Sequence, residues 1–167
     1  MKNLVVLILL FSLIASAQKK NSDEDQFRIV WKSFRTHIKS HNLTTASQLV
    51  NFPLYTAKSE NAQGRSVPTD LLTAAEFKIY KKDIFNEEVI RILPKLGEES
   101  LSEIVGNEDS YYAKVRKMTI PGSKLYEVYA EYKQQGRNSE SYFGFVFGKV
   151  KSGNYKVIAY YGKWPVR

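Results

Sequence analysis

The apolar positions of this chain change period about two-thirds of the way along, from helical spacing to strand alternation. Phe27, Trp31, Phe34 and Ile38, with Val30 alongside, recur as on one side of an amphipathic helix. Ser22 stands ready to cap that helix, and Asp23, Glu24 and Asp25 supply the acidic first turn that the helix dipole favours. Arg28, Lys32, Arg35 and Lys39 repeat at the same spacing about 100° round the axis and form a basic stripe beside the aromatic one. That stripe reads as a solvated face with snorkelling stems, or as an anion site.

The next stretch, "TTASQLVNFPL", opens with a capping-box pattern, Thr45 to Gln48. Its short helix must end before Pro53, because the residue ahead of a proline resists the α region. Leu54–Lys58 then reads as a first strand, and 59–70 as a polar loop. A second capping box, Thr73 to Glu76, opens a helix with Phe77, Tyr80, Ile84 and Phe85 on one side. Asn86 caps a further helix over Glu87–Leu93, stopped by Pro94 and Gly97, and Glu98–Val105 is expected to be another helical piece.

After Gly106 the pattern predicts strands. They are Tyr111–Thr119, Leu125–Gln134 and a hairpin written "YFGFVFGKVKSGNYKVIAYYGKW", Tyr142 to Trp164. In Leu125–Gln134 the apolar Tyr126, Val128, Ala130 and Tyr132 alternate with Glu127, Glu131 and Lys133, so that strand is expected to have one wet face. The hairpin differs, because both of its faces are apolar. A two-residue Ser152-Gly153 turn would pair Phe147 with Ile158, Phe145 with Tyr160 and Phe143 with Gly162. One face is then Phe143, Phe145, Phe147, Ile158 and Tyr160, the natural floor for the helices. The other carries Gly144, Val146, Gly148 and Val150 with Tyr155, Val157, Ala159 and Tyr161. Tyr161 is expected over Gly144 and Phe143 over Gly162, and at the tip Lys149 would meet Lys156 on a wet rim. The second face needs cover. Either a second protomer or bound partner supplies it, with Tyr155, Val157 and Tyr161 as the interface, or sheet curvature and the N-terminal leader shield it.

The first residues change the picture of where this domain works. A positive Lys2, an apolar run from Leu4 to Ile14 and the small-x-small ending Ala15-Ser16-Ala17 read as a signal peptide over 1–17. The run is too short for a stable membrane span. A flexible leader, 18–22, and a single α+β domain, 23–167, would follow, in the periplasm or secreted. With no cysteine, thiol-ligated metals, disulfides and a lipidated cysteine are excluded, and packing alone must hold the fold. The formal charge is +8, or +7 once Lys2 is removed, which suits acidic lipids or polysaccharides, or solubility alone; an exported chain argues against nucleic acid.

Taken together, "FRIVWKSFRTHIKSH", "ASQLVNFPL", "AAEFKIYKKDIFNEEVI" and the closing meander resemble the nuclear transport factor 2-like superfamily, a neighbour of cystatin-like rolls. They are most similar to small exported proteins of that fold in Bacteroidetes-type bacteria. The resemblance implies a cone-shaped α+β roll, helices packed on a curved antiparallel meander. A pocket at its open end and a homodimer through the sheet are also implied. Members include isomerases, dehydratases and cyclases, but no catalytic Asp or Tyr of those enzymes matches here by motif.

Candidate chemistry is sparse. His37 and His41 have i, i+4 spacing without a third ligand motif, so neither a metal nor any other cofactor is expected. Nucleophile elbows and phosphate loops are absent. Glu127, Tyr129 and Glu131 alternate on one face and offer a base beside phenols, though a solvated strand face is the better explanation of them. The sequence thus favours an exported binding domain for a small apolar ligand or an envelope protein, with Trp31, Tyr80, Phe145 and Tyr160 as pocket wall. The alternative is a small acid/base enzyme acting on an apolar substrate.

Overall fold

A computed structural model describes residues 22–56, 58–60, 66–68, 70–106, 110–133 and 139–163; the stretch expected to be a signal peptide, most of the expected leader and Trp164 lie outside them. The architecture is α+β, with helices against a six-stranded, mostly antiparallel curved sheet.

Helix α1, Asp23–Lys39, begins where the acidic turn predicts. Ser22 Oγ accepts from the Asp25 N–H at 3.0 Å, and the Asp25 carboxylate accepts from the Ser22 N–H at 3.0 Å. Phe27, Trp31, Phe34 and Ile38 are all buried. The basic stripe is partly engaged. Arg28 bridges Glu24 and Glu98, and Arg35 donates to the Leu96 carbonyl while its guanidinium lies 5.7 Å from the Trp31 ring centre.

Helix α2, Leu43–Gln48, is capped by Asn42 rather than by the expected Thr45 box. Strand β1, Val50–Tyr55, follows at once and runs through Pro53, so the first strand starts four residues before the expected Leu54. A small ribbon, β2 (Lys58–Glu60) with β3 (Ser66–Pro68), starts at the last residue of the expected first strand and otherwise forms within the stretch expected to be loop. Strand β4, Leu71–Leu72, leads to α3, Ala74–Ile84, which has the predicted Thr73/Glu76 capping box. Helix α4, Glu87–Ile92, is capped by Asn86 as predicted.

Two expectations fail in the next segment. Glu98–Val105 is a single 3₁₀ turn followed by strand β5, Leu101–Ile104, which pairs antiparallel with β6. Tyr111–Thr119, expected as a strand, instead overlaps helix α5, Ser110–Arg116. Tyr111 and Val115 lie one helical turn apart, both fully buried, so the helix meets the sheet through one side.

Strands β6 (Leu125–Lys133), β7 (Glu140–Lys149) and β8 (Tyr155–Gly162) form the meander, and the sheet order is β4-β1-β8-β7-β6-β5. The β1–β8 pair is parallel, so the sheet is not wholly antiparallel. At the hairpin tip, Gly153 N–H donates to the Val150 carbonyl at 2.8 Å and Val150 N–H donates to Asn154 at 2.9 Å. Gly153 has φ +84°, which makes a three-residue loop with glycine in the left-handed region, not a two-residue turn. Lys149 therefore faces Tyr155, and Phe147 faces Val157. A bulge between Val157 and Ala159 restores the expected register beyond it, where Phe145 faces Tyr160 and Phe143 faces Gly162.

Candidate functional site

The residues expected to wall a pocket lie in or against the main core. Trp31, Phe145 and Tyr160 are buried there, and Tyr80 packs against the same cluster half-exposed. The Phe34 ring sits 5.3 Å from Phe145, 5.8 Å from Phe147 and 6.0 Å from Phe85, while Trp31 meets Phe147 edge-on. Phe145 and Tyr160 rings touch at 4.9 Å, and burial pushes the Tyr160 phenol well above its ordinary range. These side chains fill space between helix and sheet by packing on one another. Tyr160 alone also borders a small recess of about 190 Å³, beside Asp83, Asn86 and Lys163.

The bulge divides the three residues expected to form an interface between the two faces of the sheet. Tyr155 and Val157 belong to the main core, under the helices, whereas Tyr161 belongs to a second cluster on the opposite face. All three are at most 4% exposed within a single chain. Ile158, expected on the helix side, joins Tyr161 instead. The reason is geometric: one extra residue in β8 reverses the facing of everything on its tip side. Lys149 and Lys156 consequently do not form a shared rim. Lys149 donates to Asp23 at 3.1 Å, half-buried at the start of α1, and Asp23 also accepts from the Lys124 N–H at 3.0 Å. Burial opposes ionisation of Asp23, but these donors outweigh it and hold the carboxyl below its usual range.

Helix α5 covers the second hairpin face. Tyr111 and Val115 pack there with Leu125, Val146, Ile158 and Ala159, and the Tyr111 and Tyr161 rings meet edge-to-face at 5.9 Å. Tyr161 lies over Gly144 as predicted; a Cβ at Gly144 would fall 2.3 Å from the Tyr161 ring. At Gly162 the register is as expected, but the nearest side-chain atom is the Tyr160 hydroxyl, not the Phe143 ring.

The same cover changes the reading of Glu127. It is half-buried, not on a wet face, and its Oε1 accepts from Tyr112 at 2.6 Å and Tyr161 at 2.7 Å. Burial, then the Glu127 charge, raises the Tyr161 phenol far above its ordinary range. Tyr129 donates to Glu131 at 2.8 Å, and its phenol is pushed up to about 12, first by burial and then by that carboxylate. Such phenols keep their protons at neutral pH, and a carboxylate oxygen accepting two of them is engaged as a structural acceptor. Tyr112 was missed because its segment reads as a strand. Of the histidines, His37 is half-buried and His41 is exposed at φ +56°, and no cluster able to hold a metal occurs among the described residues.

Among the described residues, three larger concavities are surface grooves. One of about 410 Å³ lies at the far end of β6 and β7, between Glu131, Lys133, Glu140 and Lys163. A second of about 530 Å³ adjoins the Asp23–Lys149 pair and the turn at Pro121 and Gly122. The third, about 540 Å³, runs between β1 and the hairpin tip, with Phe52, Pro53, Leu71 and Met118 beside Lys117, Lys151 and Lys156. Compared with protein-family models, curated proteins and solved structures, the chain matches none. The site is therefore read from its own chemistry.

Charge separates the grooves. Among the described residues, lysines face carboxylates in equal number in the first two, whereas no Asp or Glu lines the third.

Proposed function

We propose that this protein is an exported, non-catalytic binding domain that takes its ligand or partner in a surface groove. The observation that carries this reading is the contrast between an interior packed ring on ring and concavities that open on the surface. The order of elements, aromatic helix first and curved meander last, supports a roll of the nuclear transport factor 2-like type. Export rests on the Leu4–Ile14 run and the Ala15-Ser16-Ala17 ending. Among the described residues no helix is long and apolar enough to cross a membrane. A homodimer through the second hairpin face would have to displace α5.

Acid/base catalysis is the second reading, with Glu127 among Tyr112, Tyr129 and Tyr161 as its machinery. Against it stands the saturation of Glu127 Oε1 by two phenols.

Native mass spectrometry of the protein, purified gently from its own host's envelope, tests the proposal. A mature mass beginning at Gln18 with a retained small molecule or partner is the expected result. A bare monomer that turns over an apolar carbonyl substrate, and loses that activity on Glu127→Gln, would replace the binding reading with the enzymatic one.

A further inference from the structure

The groove between β1 and the hairpin tip combines an apolar side with lysines and, among the described residues, no lining carboxylate. Its apolar side is built from Phe52, Pro53, Leu71 and Met118, with Leu71 45% exposed. Its polar side is Lys117, Lys151 and Lys156, and none of these forms an ion pair with a described residue. Lys156 donates to the Gln48 carbonyl at 3.2 Å, a contact that orients the ammonium without cancelling its charge. Lys117 and Lys151 are exposed. Three like charges lining one recess raise its positive potential, and an anion placed there is attracted by all of them. The apolar floor would remain wet beneath an ion that carried no chain.

On the binding reading above, we infer that this groove takes an anionic amphiphile: a carboxylate or phosphate head held by Lys117, Lys151 and Lys156, with an alkyl chain over Phe52, Leu71 and Met118. A recess of about 540 Å³ is in the size range of small-molecule sites, and its concavity suits one molecule better than a flat lipid surface. An acidic polysaccharide would meet the lysines but leave the apolar floor unused.

The test is calorimetric titration of the whole mature protein with monomeric dodecanoate. Decanoate, dodecanol and phosphatidylglycerol vesicles are run in parallel. Saturable 1:1 binding is expected, weakening about two- to fourfold for each methylene removed. Dodecanol should bind at least tenfold more weakly. The double variant Lys117→Glu/Lys151→Glu, both exposed, should lose at least tenfold in affinity. Lys32→Glu/Lys39→Glu makes the same charge change on exposed positions of α1 and should stay within twofold of the parent. Equal losses in the two variants would overturn the groove assignment, since overall charge would then explain the binding. Binding to vesicles without monomeric dodecanoate would overturn the single-molecule form. Failure to bind dodecanoate, in a protein that still retains a host molecule, would sink this inference and leave the binding-domain reading standing.

Discussion

The two faces of the β7–β8 hairpin are both dry, by different means. On one, Phe143, Phe145, Phe147 and Tyr160 meet the long periodic stripe of α1 and the capped helices α3 and α4. On the other, Val146, Ile158, Ala159 and Tyr161 are covered by the seven-residue α5, and hydroxyl–carboxylate bonds from Tyr112 and Tyr161 to Glu127 complete the cover. The first is a core of large rings with few polar atoms. The second is thinner, and its polar groups must be satisfied inside it. A sheet with two apolar faces can therefore be dry within one chain when a short helix is available, and the dryness alone does not announce a dimer.

The largest effect that would break this comparison is on the first face. Phe34→Ala removes a fully buried ring packed on three others and should cost about 3–5 kcal/mol in chemical denaturation, with cooperativity retained. Tyr111→Ala should cost less, about 2–3 kcal/mol, because a short helix can detach locally. Hydrogen exchange should then rise over 110–116 and in β8 near Ile158, while α1 stays protected. Equal loss of protection in α1 would show that the two cores are one cooperative unit.

Gly144→Ala sharpens the comparison from the sheet side. Its methyl would occupy the Tyr161 ring position, so overpacking of about 1–3 kcal/mol is expected, with Tyr161 displaced from Glu127. The smallest effect is expected at the tip of α1. Because the Asp23 carboxyl is held below its ordinary pKa in the folded chain, its stabilisation is present above the unfolded carboxylate pKa. It is lost as pH falls through the folded value. Asp23→Asn should cost about 1–2 kcal/mol at pH 7 and flatten the acid limb of the stability profile. An unchanged acid limb would mean that Lys149 and Lys124 are not what holds Asp23.

Of the candidate site, the apolar side chains were readable and their placement was not. Trp31, Phe145 and Tyr160 were identified as inward-facing, as they are, but periodicity does not distinguish lining a cavity from filling a core. Glu127 was visible as a carboxylate in a strand, while its partner Tyr112 was not, since the helix that carries it was read as a strand. The lysine groove draws on β1, β4, the end of α5 and the hairpin tip, which no local pattern connects.

What the sequence by itself determined is what neighbours within a few residues decide. The caps at Ser22, Thr73 and Asn86, the buried stripe of α1 and the alternation along β6 and β7 all depend on contacts three or four residues apart, or on a two-residue pleat. Only the tertiary structure decided that "SYYAKVR" is a helix, that "LSEI" is a strand and that one extra residue in β8 turns Tyr155 and Val157 toward the helices. A seven-residue helix rich in tyrosine is marginal on its own, and its conformation is set by the apolar face it covers. That face exists only once β6, β7 and β8 have paired.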